Sequence, residues 1–265
     1  MTADLGALGP IVERKRREVE EIRCGRGAIW AKAEQLPPAP GFELLRGGRV
    51  IAELKRRSPS GGALRPDLDV AAVGAAYARA GAAAISVLTD GPDFGGSPAD
   101  LEAVRSAVEI PVLRKDFTVD PAQIAESRVL GADWVLLIVA ALGGEALDEC
   151  LEAARRSGAG ALVEVHDEDQ LERALAAGAA CVGINNRDLR TLQTDLDTFS
   201  RLRRLLPEPL VCVAESGVRD GADVARLVGE GADAVLVGEA LMRHPDPGAL
   251  CAELVAAAGR EGVWQ

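Results

Sequence analysis

Aromatic side chains are scarce in this sequence: four Phe, three Trp and one Tyr in 265 residues. A core without them must be built from small aliphatic groups, and the abundant Ala, Gly, Val and Leu suit repeated packing of helices on strands. Histidine is scarcer still, at two. No grouping of His, Cys and carboxylates has metal-ligand spacing, so neither a metal nor a cofactor is expected. The five cysteines, Cys24, Cys150, Cys181, Cys212 and Cys251, are odd in number and form no C-x-x-C pair. They read as reduced thiols of a cytoplasmic protein, not as a disulfide framework. Net positive charge is also missing. A formal charge of −11 argues against a nucleic-acid partner, yet a local cluster of Lys and Arg can still hold an anionic small molecule. No apolar run approaches the length of a membrane span, and none follows the first charges, so neither membrane insertion nor a signal peptide is expected.

What is present is repetition. A Gly-Ala pair precedes an apolar run at Gly81-Ala82, Gly131-Ala132, Gly158-Ala159, Gly178-Ala179 and Gly231-Ala232. Glycine there ends a helix in the left-handed conformation at little steric cost. Two further runs begin after proline, at Val112 and Leu210. Strands are therefore expected near residues 50, 84, 112, 134, 161, 181, 210 and 234, with helices over 70–79, 98–108, 121–130, 147–156, 170–177, 197–205, 222–229 and 247–258. Eight consecutive βα units predict an α/β fold, a closed (β/α)8 TIM barrel. An open doubly wound sheet is disfavoured because no G-x-G-x-x-G follows the first strand.

Ahead of the barrel, Leu5, Leu8, Ile11, Val12, Val19 and Ile22 alternate with dense charge and predict an amphipathic helix over 5–23, laid on the outside of something larger. Pro37-Pro38-Ala39-Pro40 then stops the helix and forms an extended connection. The chain is thus expected to be one barrel domain over 1–265, with residues 1–48 as an N-terminal helical extension packed on it.

The first strand, from Val50, holds a conflict. Glu53 and Lys55 lie two apart and leave a strand on the same face. An exposed edge strand with a surface ion pair would explain them equally well on this stretch alone. The same arrangement recurs, however, at Lys115, at Glu164 and His166, at Asn185 and Arg187, at Glu215-Ser216-Gly217 and at Gly238-Glu239. In a TIM barrel the C-terminal strand ends form the active site, so six of eight ends converge there. Carboxylates beside lysines in a closed site suit general acid-base work. Ser216-Gly217, and Gly238 opening a short helix, suit a phosphate bound by backbone N–H groups. His166 reads as a supporting group, and His244, before Pro245, as a surface residue.

These residues make the chain recognisable. Ile51-Ala-Glu-Leu-Lys-Arg-Arg-Ser-Pro-Ser60, Arg114-Lys-Asp-Phe117, Leu162-Val-Glu-Val-His166, Gly183-Ile-Asn-Asn-Arg-Asp-Leu189, Glu215-Ser-Gly217 and Val237-Gly-Glu-Ala-Leu-Met242 resemble the indole-3-glycerol-phosphate synthase family of tryptophan biosynthesis. The resemblance implies conversion of the sugar phosphate 1-(2-carboxyphenylamino)-1-deoxyribulose 5-phosphate to indole-3-glycerol phosphate, with loss of carbon dioxide and water. It implies Lys115 as general acid on the ribulose carbonyl and Glu164 as the carboxylate at the aniline nitrogen or in a proton transfer. Glu53 and Lys55 would serve the dehydration, Asn185 and Arg187 would orient substrate, and Glu215 would complete the charged ring. Ser58, Ser216, Gly217, Gly238 and Glu239 match phosphate-binding positions; Pro59, Leu88, Phe94, Phe117, Leu136 and Ile138 match the apolar lining.

One departure stands out: the loop reads Ser58-Pro-Ser-Gly-Gly62, where many relatives place a lysine after the second serine. Its glycines predict a mobile loop over the site. Rival readings are a phosphoribosylanthranilate isomerase, a Schiff-base aldolase using Lys115, and a silent sugar-phosphate-binding protein. No interface segment stands out, so a monomer is expected.

Overall fold

The structure is a computed structural model that describes residues 5–189 and 191–259. Eight parallel strands close into a barrel: β1 Arg49–Leu54, β2 Ala84–Leu88, β3 Val112–Lys115, β4 Trp134–Ile138, β5 Gly160–Val165, β6 Cys181–Asn185, β7 Val211–Glu215 and β8 Ala234–Val237. Each strand pairs with its sequence neighbours, and β1 closes the ring against β8, with Val50 opposite Val235 and Ile51 opposite Leu236. All eight expected strands are present, and the eight expected helices of the βα units agree to within two residues at each end.

Local chemistry fixes where the helices start and stop. Asp69, Ser97, Asp120, Asp167, Asp220 and Asp246 each cap the first turn of the helix that follows, accepting a backbone N–H there. Asp120 and Gln123 form a reciprocal capping box. At the other ends, the glycines of all five Gly-Ala pairs have left-handed φ, from +67° at Gly158 to +100° at Gly231.

The segment before the barrel is more than one helix and a linker. Helix α1 spans Leu8–Cys24, a second helix α2 follows at Arg26–Ala33, and a 3-10 turn lies at Phe42–Leu45. The second helix escaped the sequence reading because only Trp30 and Ala33 bury an apolar face. Trp30 is covered by the Arg156 guanidinium, 4.2 Å from the ring centre. The proline-rich connection is tied down through its backbone: Arg128 Nη2 donates to Pro37 O at 2.7 Å, the Ala39 N–H to Gly158 O at 2.8 Å, and Trp134 Nε1 to Pro40 O at 2.8 Å.

The connection delivers Phe42 to the bottom of the barrel, where its ring meets Trp134 at 4.6 Å between centroids. Gly160 lets both in, because a methyl there would sit 2.5 Å from Trp134 Cδ1. Above this plug the interior is filled by Ile51, Leu113, Leu162, Val213 and Leu236, all buried. Cys150, Cys181, Cys212 and Cys251 are free, buried thiols; the side chain of Cys24 lies outside the described residues. Among the described residues no helix is long and apolar enough to cross a membrane.

Candidate active site

Period-two alternation builds the site from the barrel's own packing. Along β1, β3, β5 and β7 an inward aliphatic residue is followed two positions later by an inward charge: Ile51 and Glu53, Leu113 and Lys115, Leu162 and Glu164, Val213 and Glu215. The aliphatic layer closes the barrel, and the charged layer above it forms the floor of a cavity of about 260 Å³ at the C-terminal strand ends.

At the centre stands Lys115. Its Nζ lies 3.0 Å from Glu164 Oε2 and 3.2 Å from Glu215 Oε2. A second pair sits beside it, with Lys55 Nζ donating to Glu53 Oε1 at 2.7 Å and the Ser86 hydroxyl reaching the other Glu53 oxygen at 3.4 Å. Glu164 is oriented by Asn185, whose Nδ2 donates to Oε1 at 2.9 Å, and the Arg187 N–H in turn donates to Asn185 Oδ1 at 2.9 Å. The Arg187 guanidinium bonds the Ser60 hydroxyl and lies 3.7 Å from Glu239. It thereby ties the loop after β1 to the loops after β6 and β8.

Two glycines make room for the carboxylates. A methyl on Gly183 would fall 2.0 Å from Glu215 Oε1, and one on Gly238 would fall 2.3 Å from Glu53 Oε1. Gly238 therefore has a steric role besides opening the short helix Glu239–Arg243. Ser216 holds φ +66°, uncommon for a non-glycine residue, and with Gly217 at +87° it turns the chain sharply after β7. In the loop after β1, one strand beyond β8, Ser58 accepts the Gly61 N–H at 3.0 Å, and two short strands of this loop, Arg57–Ser58 and Gly62–Ala63, pair with each other.

Burial and proximity set the protonation states. Burial alone would lower the affinity of Lys115 for its proton, but Glu164, Glu215 and Glu53 outweigh it and raise the ammonium above the usual lysine range. Glu53 is held below the usual carboxylate range: burial opposes this, and Lys55 and Lys115 overcome it. Glu215 moves the other way. Burial, with Glu164 and Glu53 adding to it against the pull of Lys115, pushes its carboxyl up to about 8. Its Oε1 is buried with no hydrogen-bond partner among the described residues. The centre is thus a protonated lysine beside a neutral Glu215 carboxyl, with the Glu164 oxygen 3.0 Å from the ammonium. An amine held this firmly in its charged form is not the nucleophile that Schiff-base chemistry needs.

A family model described as indole-3-glycerol phosphate synthase matches residues 8–254. The chain belongs to the indole-3-glycerol phosphate synthase family. A relative with that name from Parafrankia sp. is 51% identical over 258 residues, 96% of each chain. Indole-3-glycerol phosphate synthase 1 of Streptomyces coelicolor is 52% identical over 258 residues, again 96% of each. The protein of this name from Kineococcus radiotolerans is 54% identical over 260 residues, 98% of this chain and 91% of its own.

All eighteen residues to which the resemblance gives a catalytic or binding role line this cavity. Glu53, Lys55, Ser58, Pro59, Leu88, Phe94, Lys115, Phe117 and Leu136 do so from the first half, and Ile138, Glu164, Asn185, Arg187, Glu215, Ser216, Gly217, Gly238 and Glu239 from the second. The two aromatic walls stand together, with Phe94 and Phe117 ring centres 6.0 Å apart. His166 lies in an adjoining cavity of about 210 Å³ that shares Glu164 as a wall, its Nδ1 paired with Asn185 O at 2.8 Å. His244 is half-buried in a surface turn with Asp246.

The sequence reading missed the contribution of α1. The helix does not merely lie on the outside: Ala7, Leu8, Pro10 and Ile11 line the cavity mouth. Leu8 and Ile11 belong to the apolar stripe of the sequence, but periodicity cannot tell which turn of a stripe faces a cavity. Among the described residues no group of His, Cys, Asp and Glu is placed to hold a metal ion.

Proposed function

We propose that this chain carries out the ring closure of its family on a carboxyphenylamino-deoxyribulose phosphate, with the residues of the cavity in the following roles. Lys115 is the general acid that polarises and protonates the ribulose carbonyl oxygen as the aromatic carbon attacks. Glu164, set by Asn185, stabilises the positive charge that develops on the aniline nitrogen and receives a proton. Loss of carbon dioxide restores the aromatic ring. Elimination of the new hydroxyl as water then needs one acid and one base, and the ion-paired Lys55 and Glu53 supply that couple. Glu215, neutral at pH 7, adds no negative charge beside the ammonium of Lys115. Arg187 and Asn185 orient the chain of the substrate. Ser58, Ser216, Gly217, Gly238 and Glu239 grip its phosphate, while Pro59, Leu88, Phe94, Phe117, Leu136 and Ile138 enclose its ring.

The observation that carries this reading is Lys115 Nζ lying within 3.2 Å of two carboxylates on other strands, in a cavity with an aromatic wall on one side and a Ser-Gly turn on the other. Ring closure is intramolecular, so holding one bent conformation between two anchors removes much of the entropic barrier. Charges in a site shielded from water then act at greater strength. We read the chain as one barrel domain over 1–265, with residues 1–48 as its extension. We also read it as a cytoplasmic monomer, supported by four buried free thiols and by the scatter, among the described residues, of the large exposed apolar side chains Leu36, Val129 and Leu205.

The test is to supply the substrate and follow the rise of indole fluorescence. Wild-type protein turns over, and Lys115→Ala loses roughly 10²–10⁴-fold in kcat while still binding the phosphate. Absence of turnover in the wild type overturns the activity; wild-type kcat in the variant removes Lys115 from its role.

A further inference from the structure

Helix α1 reaches the charged centre by a route that the reaction scheme does not use. Lys15, 6% exposed, places its Nζ 2.8 Å from Asp116 Oδ1 and 3.1 Å from Asp90 Oδ2. Asp116 directly follows Lys115. Its carboxylate also receives the Thr89 hydroxyl at 2.5 Å, Arg114 Nη2 at 3.2 Å and the Phe117 N–H at 2.8 Å. Asp90, fully buried, takes Arg14 Nη2 at 2.9 Å and accepts the Asp93 N–H at 2.9 Å, one residue before Phe94. One ammonium from the extension therefore bridges the loops after β2 and β3. Those loops carry both aromatic walls and the end of the strand that holds Lys115.

We propose that Lys15 is a positioning residue for Lys115, Phe94 and Phe117, acting through Asp116 and Asp90. A tether alone would not need it. Leu8, Val12 and Val19 already bury the apolar face of α1, and a buried ammonium is a poor source of stability because its desolvation offsets the attraction. What the ion pair supplies is geometry: two carboxylates on separate loops are held at one fixed point. Without Lys15 the two acids lose the one cation they share, each keeping only its own arginine, Arg14 on Asp90 and Arg114 on Asp116, and the β3 end relaxes away from Glu164 and Glu215. Displacement of a catalytic group by about 1 Å costs on the order of 10²-fold in rate.

The inference rests on the assignment of Lys115 as the acid. Lys15→Met keeps the length of the side chain and removes its charge. The expected result is a folded protein whose kcat falls at least tenfold while KM changes less than threefold, with Lys15→Arg recovering kcat to within threefold of wild type. A kcat loss below tenfold in Lys15→Met, a loss taken mainly in KM, or equal impairment of Met and Arg variants overturns the proposal. If Lys15→Met does not fold, Asp116→Asn takes its place, since it keeps the shape and, through Oδ1, the Phe117 contact while removing the charge that Lys15 pairs with; unchanged kcat there overturns the proposal equally. Lys115→Ala separates the two ideas. Turnover retained in that variant defeats the acid assignment, whereas loss there beside an active Lys15→Met defeats only the positioning.

Discussion

The two ends of the barrel are built by the same strands and obey opposite rules. At the bottom, Phe42, Trp134 and Cys181 meet in a dry plug. At the top, on β1, β3, β5 and β7 and two residues beyond the aliphatic layer that covers this plug, Glu53, Lys115, Glu164 and Glu215 crowd into a buried cluster of one ammonium and three carboxyl groups, with Lys55 beside it. The bottom end gains from burial. The top end burdens the fold, because buried charges cost more to desolvate than they return unless each is paired. Stability and chemistry are thus separated along a strand by a single side-chain period.

Substitutions at the two ends should therefore fail differently. The largest effect beyond Lys115→Ala is expected from Gly183→Ala. Its new methyl would fall 2.0 Å from Glu215 Oε1 and push that carboxylate off Lys115. Turnover should drop on the order of 10²-fold while the melting temperature holds; a variant that unfolds instead would show that the upper layer is structural after all.

Next comes the reverse experiment. Trp134→Ala removes a fully buried ring and its bond to Pro40, so about 3–5 kcal/mol of stability should be lost in denaturant titration. The kcat of the protein still folded should stay near wild type. A large kcat loss at unchanged stability would break the division between the ends.

The smallest effect concerns pH. Because the Glu215 carboxyl is raised to about 8, it is neutral at pH 7 and ionises as pH rises through that value. The stability tied to its neutral form is full at acid pH and is lost as pH climbs from about 4.5 to about 8. Rate should show a basic limb over the same upper range, as the added negative charge of Glu215 beside Lys115 weakens it as an acid. Glu215→Gln cannot ionise. It should retain kcat to within roughly tenfold and flatten that limb; an unaltered pH profile would assign the limb elsewhere.

Most of the architecture was legible before any coordinates, and the reasons are local. Gly-Ala pairs ended helices and apolar runs of strand length lay between, whereas the Asp and Ser caps that begin the helices came from the structure. The helix over 26–33 was not legible, since its moderate pattern gains its meaning from Arg156 covering Trp30. The site residues could be named because charges two apart in apolar strands are costly without a use. Their pairing could not, because Lys115 and Glu164 are forty-nine residues apart and meet only when the ring closes.

The sequence by itself determined the order of βα units and the set of polar groups at their ends, both of which depend on neighbours along the chain. Tertiary structure alone decided that Glu215 is neutral while Glu53 and Lys115 stay charged. It also decided that α1 closes the cavity mouth and that Lys15 reaches the loops of Phe94 and Phe117. The physical reason is common to all of these. Protonation, cavity walls and buried ion pairs depend on distance through space and exclusion of water, and barrel closure creates both.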